Sequence, residues 1–337
     1  MNFLVTGGAG FIGSNFVHYL LDSYPECKVV NLDKLTYAGN LNNLKDRADD
    51  PRYRFVHGDI ADADLVNSLF AEGIDVAVNF AAETHVDRSI GNPSDFITTD
   101  VYGTYVLLEA ARTSGIKKFI QISTDEVYGT IPAGCSSVET DQLLPRNPYS
   151  ASKSGADRLA YSYFATYGLP VCITRASNNY GPYQYPEKLI PLFVTNLLED
   201  IPVPIYGDGK NVRDWLHVMD HCSGIDCVIK NGVDGEVYNI GGGNERENIF
   251  VVDTIFAQLE KPVTLKTYVK DRLGHDRRYS LNCDKVKHLG WQPAVSFESG
   301  LKDTIDWYVA NRWWWEPLKS GEYLEYYRKQ YVDREKE

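Results

Sequence analysis

Tyr149 and Lys153 stand four residues apart in the segment YSASK, a spacing that places both side chains on one face of a helix. A free tyrosine has a pKa near ~10, and a nearby ammonium favours its phenolate form. The pair is therefore suited to act as a general base near neutral pH. The same spacing is common on solvent-exposed helices, so this interpretation depends on the elements that surround it.

Two adjacent carboxylates, Asp125 and Glu126, follow Thr124 after an apolar run at residues 119–122. Carboxylates at the end of a buried strand are costly to desolvate without partners, which favours a functional use over chance placement. Two neighbouring carboxyl groups whose pKa values differ can serve as an acid and a base in one reaction. The alternative is a solvated pair of acids in a surface loop.

Glycines at positions 7, 10 and 13 follow a short apolar run and open a helical pattern over residues 11–21. In this strand–turn–helix context, the backbone approaches a pyrophosphate at the helix N-terminus. Asp33 ends the next apolar run, where an acid binds the ribose hydroxyls and repels the extra phosphate of NADP. The sequence therefore predicts an NAD site.

Apolar runs alternate with helical patterns through the first half of the chain, at residues 3–6, 29–32, 53–57, 76–80 and 119–122, with a helix at 101–112. This alternation predicts an α/β fold: a doubly wound parallel Rossmann sheet with a smaller, irregular α/β substrate-binding domain. After about residue 175, prolines and aromatic residues punctuate short segments. We expect residues 1–176 to form mainly the NAD-binding domain and residues 177–337 mainly the substrate domain. The two should pack as one unit with some chain exchange, and the aromatic tail at 308–331 should pack on the body as a helix.

The bulk properties of the 337 residues exclude several other classes of protein. A formal net charge of −12 disfavours a nucleic-acid partner. No apolar run approaches the ~20 residues that span a bilayer. The N-terminal segment has neither the basic region nor the apolar core of a signal peptide, and the six cysteines lack zinc-site spacing. We expect a cytoplasmic protein with reduced thiols and, because the histidines share no ligand spacing either, no metal.

The segments TGGAGFIG, STDEVYG and YSASK together resemble the extended short-chain dehydrogenase/reductases. Within that class the chain is most similar to the dTDP-glucose 4,6-dehydratase family, and the likeness extends through residues 81–90, 177–191, 204–218 and 271–279. The adjacent Asp and Glu after Thr124 are the distinguishing feature. Related epimerases lack this pair, and related decarboxylases and GDP-mannose dehydratases typically keep only the Glu.

The resemblance implies dehydration of dTDP-glucose to dTDP-4-keto-6-deoxyglucose, with NAD+ held tightly and regenerated in each turnover. Tyr149, helped by Lys153 and Thr124, would remove the 4-hydroxyl proton as hydride leaves C4. Glu126 would then take the C5 proton while Asp125 protonates the departing 6-hydroxyl. Hydride would finally return to C6.

The resemblance also implies two sets of binding residues. The cofactor set comprises Gly7, Gly10, Phe11, Ile12, Gly13, Asp33, Lys34, Leu35, Thr36, Asp59, Ile60, Ala81, Ala82, Thr99, Tyr149, Lys153 and Asn179. The substrate set, in which Arg213 suits a diphosphate, comprises Thr84, Thr124, Asn178, Lys188, Leu189, Pro204, Ile205, Tyr206, Arg213, Asn248, Arg272, His275 and Tyr279.

Two positions depart from the family pattern. Asp100 stands where the family usually has Asn, and an acid there would change the pKa or hydrogen bonding of the catalytic tyrosine. Leu273 stands where the family often has Pro. Relatives pair two long helices across a twofold axis, here residues 101–112 and 149–167, so we expect a homodimer. Leu159, Tyr163 and Phe164 on the second helix suit either a dimer face or a core.

Three alternatives remain at the level of the sequence. Similar residues serve UDP-glucose, so a dehydratase for that sugar nucleotide is the nearest one. A nucleotide-sugar 4-epimerase would use Tyr149 and Lys153 but leave Asp125 and Glu126 idle. A non-catalytic NAD-binding protein would require a broken catalytic set, and this chain retains every member of it.

Overall fold

The computed structural model describes residues 1–271 and 274–333. Within this part of the chain there are twelve strands. They are β1 (Asn2–Thr6), β2 (Lys28–Asp33), β3 (Tyr53–His57), β4 (Val76–Asn79), β5 (Lys118–Thr124), β6 (Val171–Ala176), β7 (Asn178–Tyr180), β8 (Val203–Tyr206), β9 (Val212–His217), β10 (Val237–Ile240), β11 (Glu245–Glu247) and β12 (Lys266–Val269).

The same described residues form thirteen α-helices. They are α1 (Phe11–Ser23), α2 (Ala63–Phe70), α3 (Val86–Gly91), α4 (Pro93–Phe96), α5 (Thr104–Ser114), α6 (Pro148–Tyr167), α7 (Leu189–Leu198), α8 (Val218–Asn231), α9 (Asn248–Gln258), α10 (Asp284–His288), α11 (Phe297–Ala310), α12 (Arg312–Trp315) and α13 (Glu322–Arg328). Short 3-10 segments lie at Leu41–Arg47, Asp125–Tyr128, Val263–Leu265 and Glu316–Leu318, and π-helical segments at Ile97–Gly103 and Lys329–Asp333.

The main sheet is parallel throughout and has the order β10-β6-β5-β4-β1-β2-β3. In its register Val5 of β1 lies between Asn31 of β2 and Val78 of β4. The order reverses at β1, where a doubly wound sheet opens a crevice at the carboxyl ends of its strands. The predicted Rossmann architecture is confirmed.

Helices cover both faces of this sheet, which explains why its strands are apolar on both sides. On one face α1 and α8 pack together, with Phe16 and Ile225 in a shared core. On the other face α2, α5 and α6 pack around Leu107, Phe119 and Ala160.

Helix α6 carries the predicted general base, and local sequence fixes where it begins. The Asn147 side chain accepts a hydrogen bond from the Ser150 N–H, and the Ser150 hydroxyl accepts one from the Asn147 N–H, which is a capping box. Pro148 occupies the first turn, where its missing N–H costs nothing. This start places Tyr149 in the first turn of α6 and Lys153 one turn later.

The helix predicted at residues 101–112 has a different form in the structure. Residues Ile97–Gly103 form a π-helical segment, and the α-helix α5 follows at Thr104–Ser114. Wide turns of this kind often occur at functional sites. Here the turn carries the buried Asp100.

The smaller region contains a three-stranded sheet, β11-β9-β7, and a parallel pair, β12-β8. Helix α8 and strand β10 belong to the C-terminal half but join the main sheet. The domain boundary at residue 176 thus stays a prediction. The tail forms α11, α12 and α13 rather than one helix, with Trp314 and Trp315 buried in the core of the smaller region.

Candidate active site

Two cavities meet beside the carboxyl ends of the sheet strands. The first cavity has a volume of about 300 Å³ and lies along the glycine turn, the ends of β2, β4 and β5, and the start of α6. The second has a volume of about 180 Å³ and lies under α7, β8 and α9. Residues from several elements line both cavities: Thr84, Glu126, Asn178, Glu187 and Lys188. A ligand in each cavity would therefore meet the other near Glu126.

Two glycines of the first turn, Gly7 and Gly13, stand where no side chain can fit. Gly7 has a left-handed φ of +68°, and a Cβ on it would lie 2.7 Å from the backbone nitrogen of Ala81. A Cβ on Gly13 would lie 2.3 Å from the carbonyl oxygen of Gly7. Gly10 supplies no side-chain cap to α1, and the first turn of that helix has no acid. The free N–H groups and positive end of α1 therefore suit a pyrophosphate.

Replacing Gly13 with Ala tests this turn. We expect Gly13→Ala to lose bound NAD and to destabilise the fold by about 1–3 kcal/mol, because the new methyl group clashes with the Gly7 carbonyl. The measurement is the nicotinamide released on acid denaturation, together with the free energy of unfolding. Gly91→Ala is the matched control, since a Cβ there meets nothing within 4 Å. Full NAD content in Gly13→Ala would show that the turn does not hold the cofactor.

Asp33 is held rigidly at the end of β2. Its Oδ2 accepts a hydrogen bond from the Ala9 N–H at 2.9 Å, and its Oδ1 accepts one from the Leu35 N–H at 2.8 Å. Burial raises the pKa of Asp33, and the two N–H groups oppose that rise. All the predicted cofactor residues lie in the described part of the chain, and Leu35 alone among them does not line the first cavity. Its backbone orients Asp33 instead.

Lys153 and Tyr149 face the first cavity from one side of α6. The Lys153 ammonium donates to the Ile122 carbonyl at 2.7 Å, and the side chain is only 5% exposed. Burial lowers the pKa of Lys153, while Asp100 and Asp157 raise it. The pKa of Tyr149 is raised well above its ordinary value by burial and then by three nearby carboxyl groups, of which Glu126 has the largest effect. A cation bound in the first cavity would oppose these carboxylates and favour the phenolate.

The acid pair lies on the 3-10 turn Asp125–Tyr128 that follows β5. The Thr124 hydroxyl accepts from the Glu126 N–H at 3.3 Å and donates to Asp125 Oδ1 at 3.2 Å. Asp125 is 3% exposed, and burial together with Glu126 raises its pKa well above the usual range. Glu126 lines both cavities, and its Oε2 lies 3.4 Å from the Tyr279 hydroxyl, which also donates to Asp276 Oδ2 at 2.8 Å. The structure therefore places a carboxyl group whose pKa is raised next to a second carboxyl group that opens to both cavities.

Most of the predicted substrate residues line the second cavity: Thr84, Asn178, Lys188, Leu189, Pro204, Ile205, Tyr206, Arg213, Asn248 and His275. Thr124 lines the first cavity instead. Tyr279 lines neither, but its ring lies 4.4 Å from the Arg213 guanidinium and its hydroxyl contacts Glu126. Arg272 and Leu273 lie outside the described residues.

Asp100 is 1% exposed, and both of its carboxylate oxygens accept hydrogen bonds. Its Oδ1 accepts from the Glu83 N–H at 2.9 Å, and its Oδ2 accepts from the Ser152 hydroxyl at 2.6 Å. Burial raises the pKa of Asp100 to about 6, against the opposing effects of Lys153 and Ser152. Asp100 in turn raises the pKa of Tyr149.

A pH profile of Asp100→Asn should reveal this coupling. Above about pH 6 the wild-type carboxylate is ionised, so its removal should lower the pKa of Tyr149. The rise of kcat/KM with pH should then move to lower pH by roughly one unit. Below pH 6 the side chain at position 100 is uncharged in both proteins, so the two profiles should converge. Superimposable profiles at every pH would show that the charge of Asp100 does not reach the catalytic tyrosine.

A cluster around Glu187 was not predicted from the sequence. The Tyr37 hydroxyl donates to Glu187 Oε1 at 2.9 Å, and the Arg88 guanidinium lies 3.6 Å from the Tyr37 ring centroid and 3.3 Å from Glu187. Burial raises the pKa of Glu187. These residues come from three separated segments, and no local spacing connects them.

The sequence analysis considered the histidines only as candidate metal ligands. In the structure, one of them, His221, orients the side chain of Asn179. The Asn179 side-chain N–H group donates to the Ser177 carbonyl at 2.9 Å, so its Oδ1 faces His221 Nδ1, also at 2.9 Å. His221 Nδ1 must therefore carry the hydrogen, and burial lowers the pKa of His221 to about 3. In residues 1–271 and 274–333 no cluster of His, Cys, Asp or Glu could hold a metal ion. No helix in this described portion is long and apolar enough to cross a membrane.

A Rossmann sheet with a Tyr–Lys pair facing its glycine turn defines a short-chain dehydrogenase/reductase, and comparison with known proteins narrows the class. The GDP-mannose 4,6 dehydratase family model matches residues 4–304. A dTDP-glucose 4,6-dehydratase of Streptomyces antibioticus is 55% identical over 326 residues, covering 95% of this chain and 96% of that protein. The chain belongs to the dTDP-glucose 4,6-dehydratase family.

Solved structures agree with this assignment. The dTDP-glucose 4,6-dehydratase DesIV of Streptomyces venezuelae, with NAD and dTDP bound, has a TM-score of 0.92 and 53% identity, covering 95% of this chain and 100% of that one. A UDP-glucose 4-epimerase of Thermus thermophilus in complex with NAD has a TM-score of 0.85 and 30% identity, covering 92% of this chain and 100% of that one. The fold is thus shared with epimerases, while sequence identity is higher with the dehydratases.

Proposed function

We propose that this protein is an NAD-dependent lyase that converts dTDP-glucose into dTDP-4-keto-6-deoxyglucose. The observation that carries the proposal is the meeting of two catalytic pairs at one place. Tyr149, Lys153 and Asp125 line the first cavity, and Glu126, next to Asp125, lines both cavities where they join. Oxidation needs only the first pair, whereas removal of water across C5 and C6 needs the second pair as well.

The first cavity fits NAD in the charge and shape of its wall. Gly7 and Gly13 admit no Cβ, the N-terminus of α1 presents free N–H groups, and the Asp33 carboxylate is positioned for the ribose hydroxyls. Bound NAD would accept hydride from the sugar and later return it. Asn179, held by His221, would face the nicotinamide end.

The chain's own residues would then move three protons. Tyr149 would remove the proton of the 4-hydroxyl, with Thr124 orienting that group and Lys153 favouring the phenolate. Glu126 would accept the C5 proton, which a ketone at C4 makes acidic, and would return a proton to C5 when hydride adds to C6. Asp125, kept protonated by burial and by Glu126, would give its proton to the departing 6-hydroxyl.

The second cavity would hold the nucleotide. Arg213 and Asn178 would contact the diphosphate. Lys188, Leu189 and the β8 residues Pro204, Ile205 and Tyr206 would surround the base and ribose, opposite Asn248 and His275. Arg272 and Tyr279 complete the proposed substrate set.

The deciding experiment is turnover of dTDP-glucose beside UDP-glucose with no NAD added. The 4-keto product is followed by its absorbance in alkali and identified by mass. Loss of one water from dTDP-glucose, with slower turnover of UDP-glucose, is the expected result and would also demonstrate that cofactor is retained. Faster loss of water from UDP-glucose would reassign the substrate. Epimerised sugar without loss of water would leave Asp125 and Glu126 without a role and overturn the proposal.

We also infer that the protein is a cytoplasmic homodimer. All six cysteines lie in the described part of the chain and none forms a disulfide, which supports a reducing compartment. Tyr163 is buried, and Leu159 and Phe164 are partly buried against the same core. Exposed apolar side chains that could extend a dimer face lie at Ile97, Tyr102, Tyr105 and Tyr161. Light scattering should give twice the 38.0 kDa mass of the chain; a monomer mass would exclude the dimer.

A further inference from the structure

The end of the chain forms part of the wall of the second cavity. Tyr331 lines this cavity together with Pro204, Ile205 and Tyr206 of β8. Residues 329–331 follow directly from α13, so the position of this tyrosine depends on how that helix is attached to the body. The sequence analysis expected the tail to pack on the body and gave it no further role.

Helix α13 is anchored at several points along its length. At its start, Glu322 pairs with Arg88 of α3 at 2.7 Å. Tyr323 is buried in the core of the smaller region. Farther along, the Tyr327 hydroxyl accepts from the Asn196 side chain of α7 at 3.2 Å. These contacts hold the segment that follows the helix against the second cavity.

The tail reaches the cavity through an aromatic cluster. The ring centroids of Tyr331 and Tyr206 lie 5.8 Å apart with the planes inclined at 40°. On its other side Tyr206 meets His275 edge-on, with a centroid separation of 6.0 Å. The Gln330 side chain donates to the Tyr206 hydroxyl at 2.6 Å. Tyr331 and the β8 residues thus form one continuous wall of the second cavity.

We propose that Tyr331 is a nucleotide-binding residue whose ring packs against the pyrimidine base of the substrate. This rests on the proposed function, which places the base among the β8 residues. A flat aromatic side chain next to Tyr206 and Pro204 offers a stacking surface that any pyrimidine accepts. Glu126 lines the same cavity from the side of the reacting carbons, so Tyr331 contributes to binding rather than to chemistry.

The base is remote from C4, C5 and C6. Loss of this contact should therefore weaken binding of the substrate and binding of the transition state by the same factor. Tyr331→Ala should therefore raise KM for dTDP-glucose, and the Kd of dTDP measured by calorimetry, by roughly 5- to 100-fold. The value of kcat at saturation should stay within about twofold of wild type. Tyr331→Phe keeps the ring and should bind dTDP nearly as well as wild type, whereas Tyr331→Leu keeps apolar volume without the ring and should resemble Tyr331→Ala.

Leu324→Ala is the matched control, since Leu324 is an exposed residue of α13 outside the second cavity. Unfolding temperatures of all variants test whether the tail stays attached. Unchanged Kd in Tyr331→Ala, or full affinity in Tyr331→Leu, would overturn the inference while wild-type turnover of dTDP-glucose keeps the proposed function intact. Failure of the wild-type protein to bind dTDP or to turn over dTDP-glucose would instead remove the proposed function itself.

Discussion

Replacing Glu126 with Gln is expected to arrest turnover after the sugar has been oxidised, so that reduced nicotinamide accumulates on the enzyme. The amide matches the carboxylate in shape, and its oxygen can still lie beside the Tyr279 hydroxyl. It cannot accept the C5 proton. Formation of product should fall by roughly 10²- to 10⁴-fold, the usual contribution of a general base.

Rapid mixing of Glu126→Gln with dTDP-glucose provides the measurement. The absorbance of NADH should rise in a burst approaching one equivalent per active site and should then decay slowly. Tyr279→Phe, measured at saturating dTDP-glucose because Tyr279 belongs to the proposed substrate set, is the control: it removes the hydroxyl beside Glu126 and leaves the carboxylate in place. It should turn over with no lasting burst. Normal product formation by Glu126→Gln would assign the C5 proton to another group.

Local motifs predicted the parts of the site that a single strand–turn–helix unit creates. The glycines of the first turn, Asp33 at the end of β2, and the Tyr149–Lys153 pair on α6 each depend on neighbours close in sequence. Backbone geometry fixes where such residues point once the fold class is known. For this reason the parallel Rossmann sheet and the cofactor site could be predicted in outline.

Features assembled from distant segments gave no such signal. Glu187, Arg88 and Tyr37 meet only because helix α3 and two loops converge, and Tyr331 lines the second cavity from the end of the chain. Their side-chain types are ordinary on a surface. Only tertiary packing makes them part of a site.

The spacing of residues along the chain also could not predict how the surrounding charges shift the pKa of Tyr149. The sequence indicated that Lys153 would favour the phenolate of Tyr149 and that Asp100 would perturb its pKa, but it did not show that Glu126 and Asp125 raise this pKa as well. A cavity lined with carboxyl groups favours a bound cation, and an oxidised nicotinamide carries a positive charge. Binding of the oxidised cofactor in the first cavity would therefore oppose the rise in the pKa of Tyr149 and favour its proposed role as a base.

Replacing Tyr149 with Phe is expected to stop the reaction one step earlier than the change at Glu126. The ring should keep its edge contact with Phe96, whose centroid is 6.3 Å away, so the fold and bound NAD should be unaffected. The 4-hydroxyl proton then has no acceptor, and hydride transfer should slow by at least ~100-fold. No burst of NADH absorbance should appear on mixing with dTDP-glucose.

The double variant Tyr149→Phe, Glu126→Gln decides the order of the two steps. If Tyr149 acts before Glu126, the burst seen in Glu126→Gln must disappear when both residues are changed. Retained NAD in each variant, released by acid and quantified, controls for loss of cofactor. A burst in the double variant would mean that another group accepts the 4-hydroxyl proton. Lys153 would then be the group to examine next, because it lines the same cavity and burial lowers the pKa of its ammonium, which favours the neutral amine that can accept a proton.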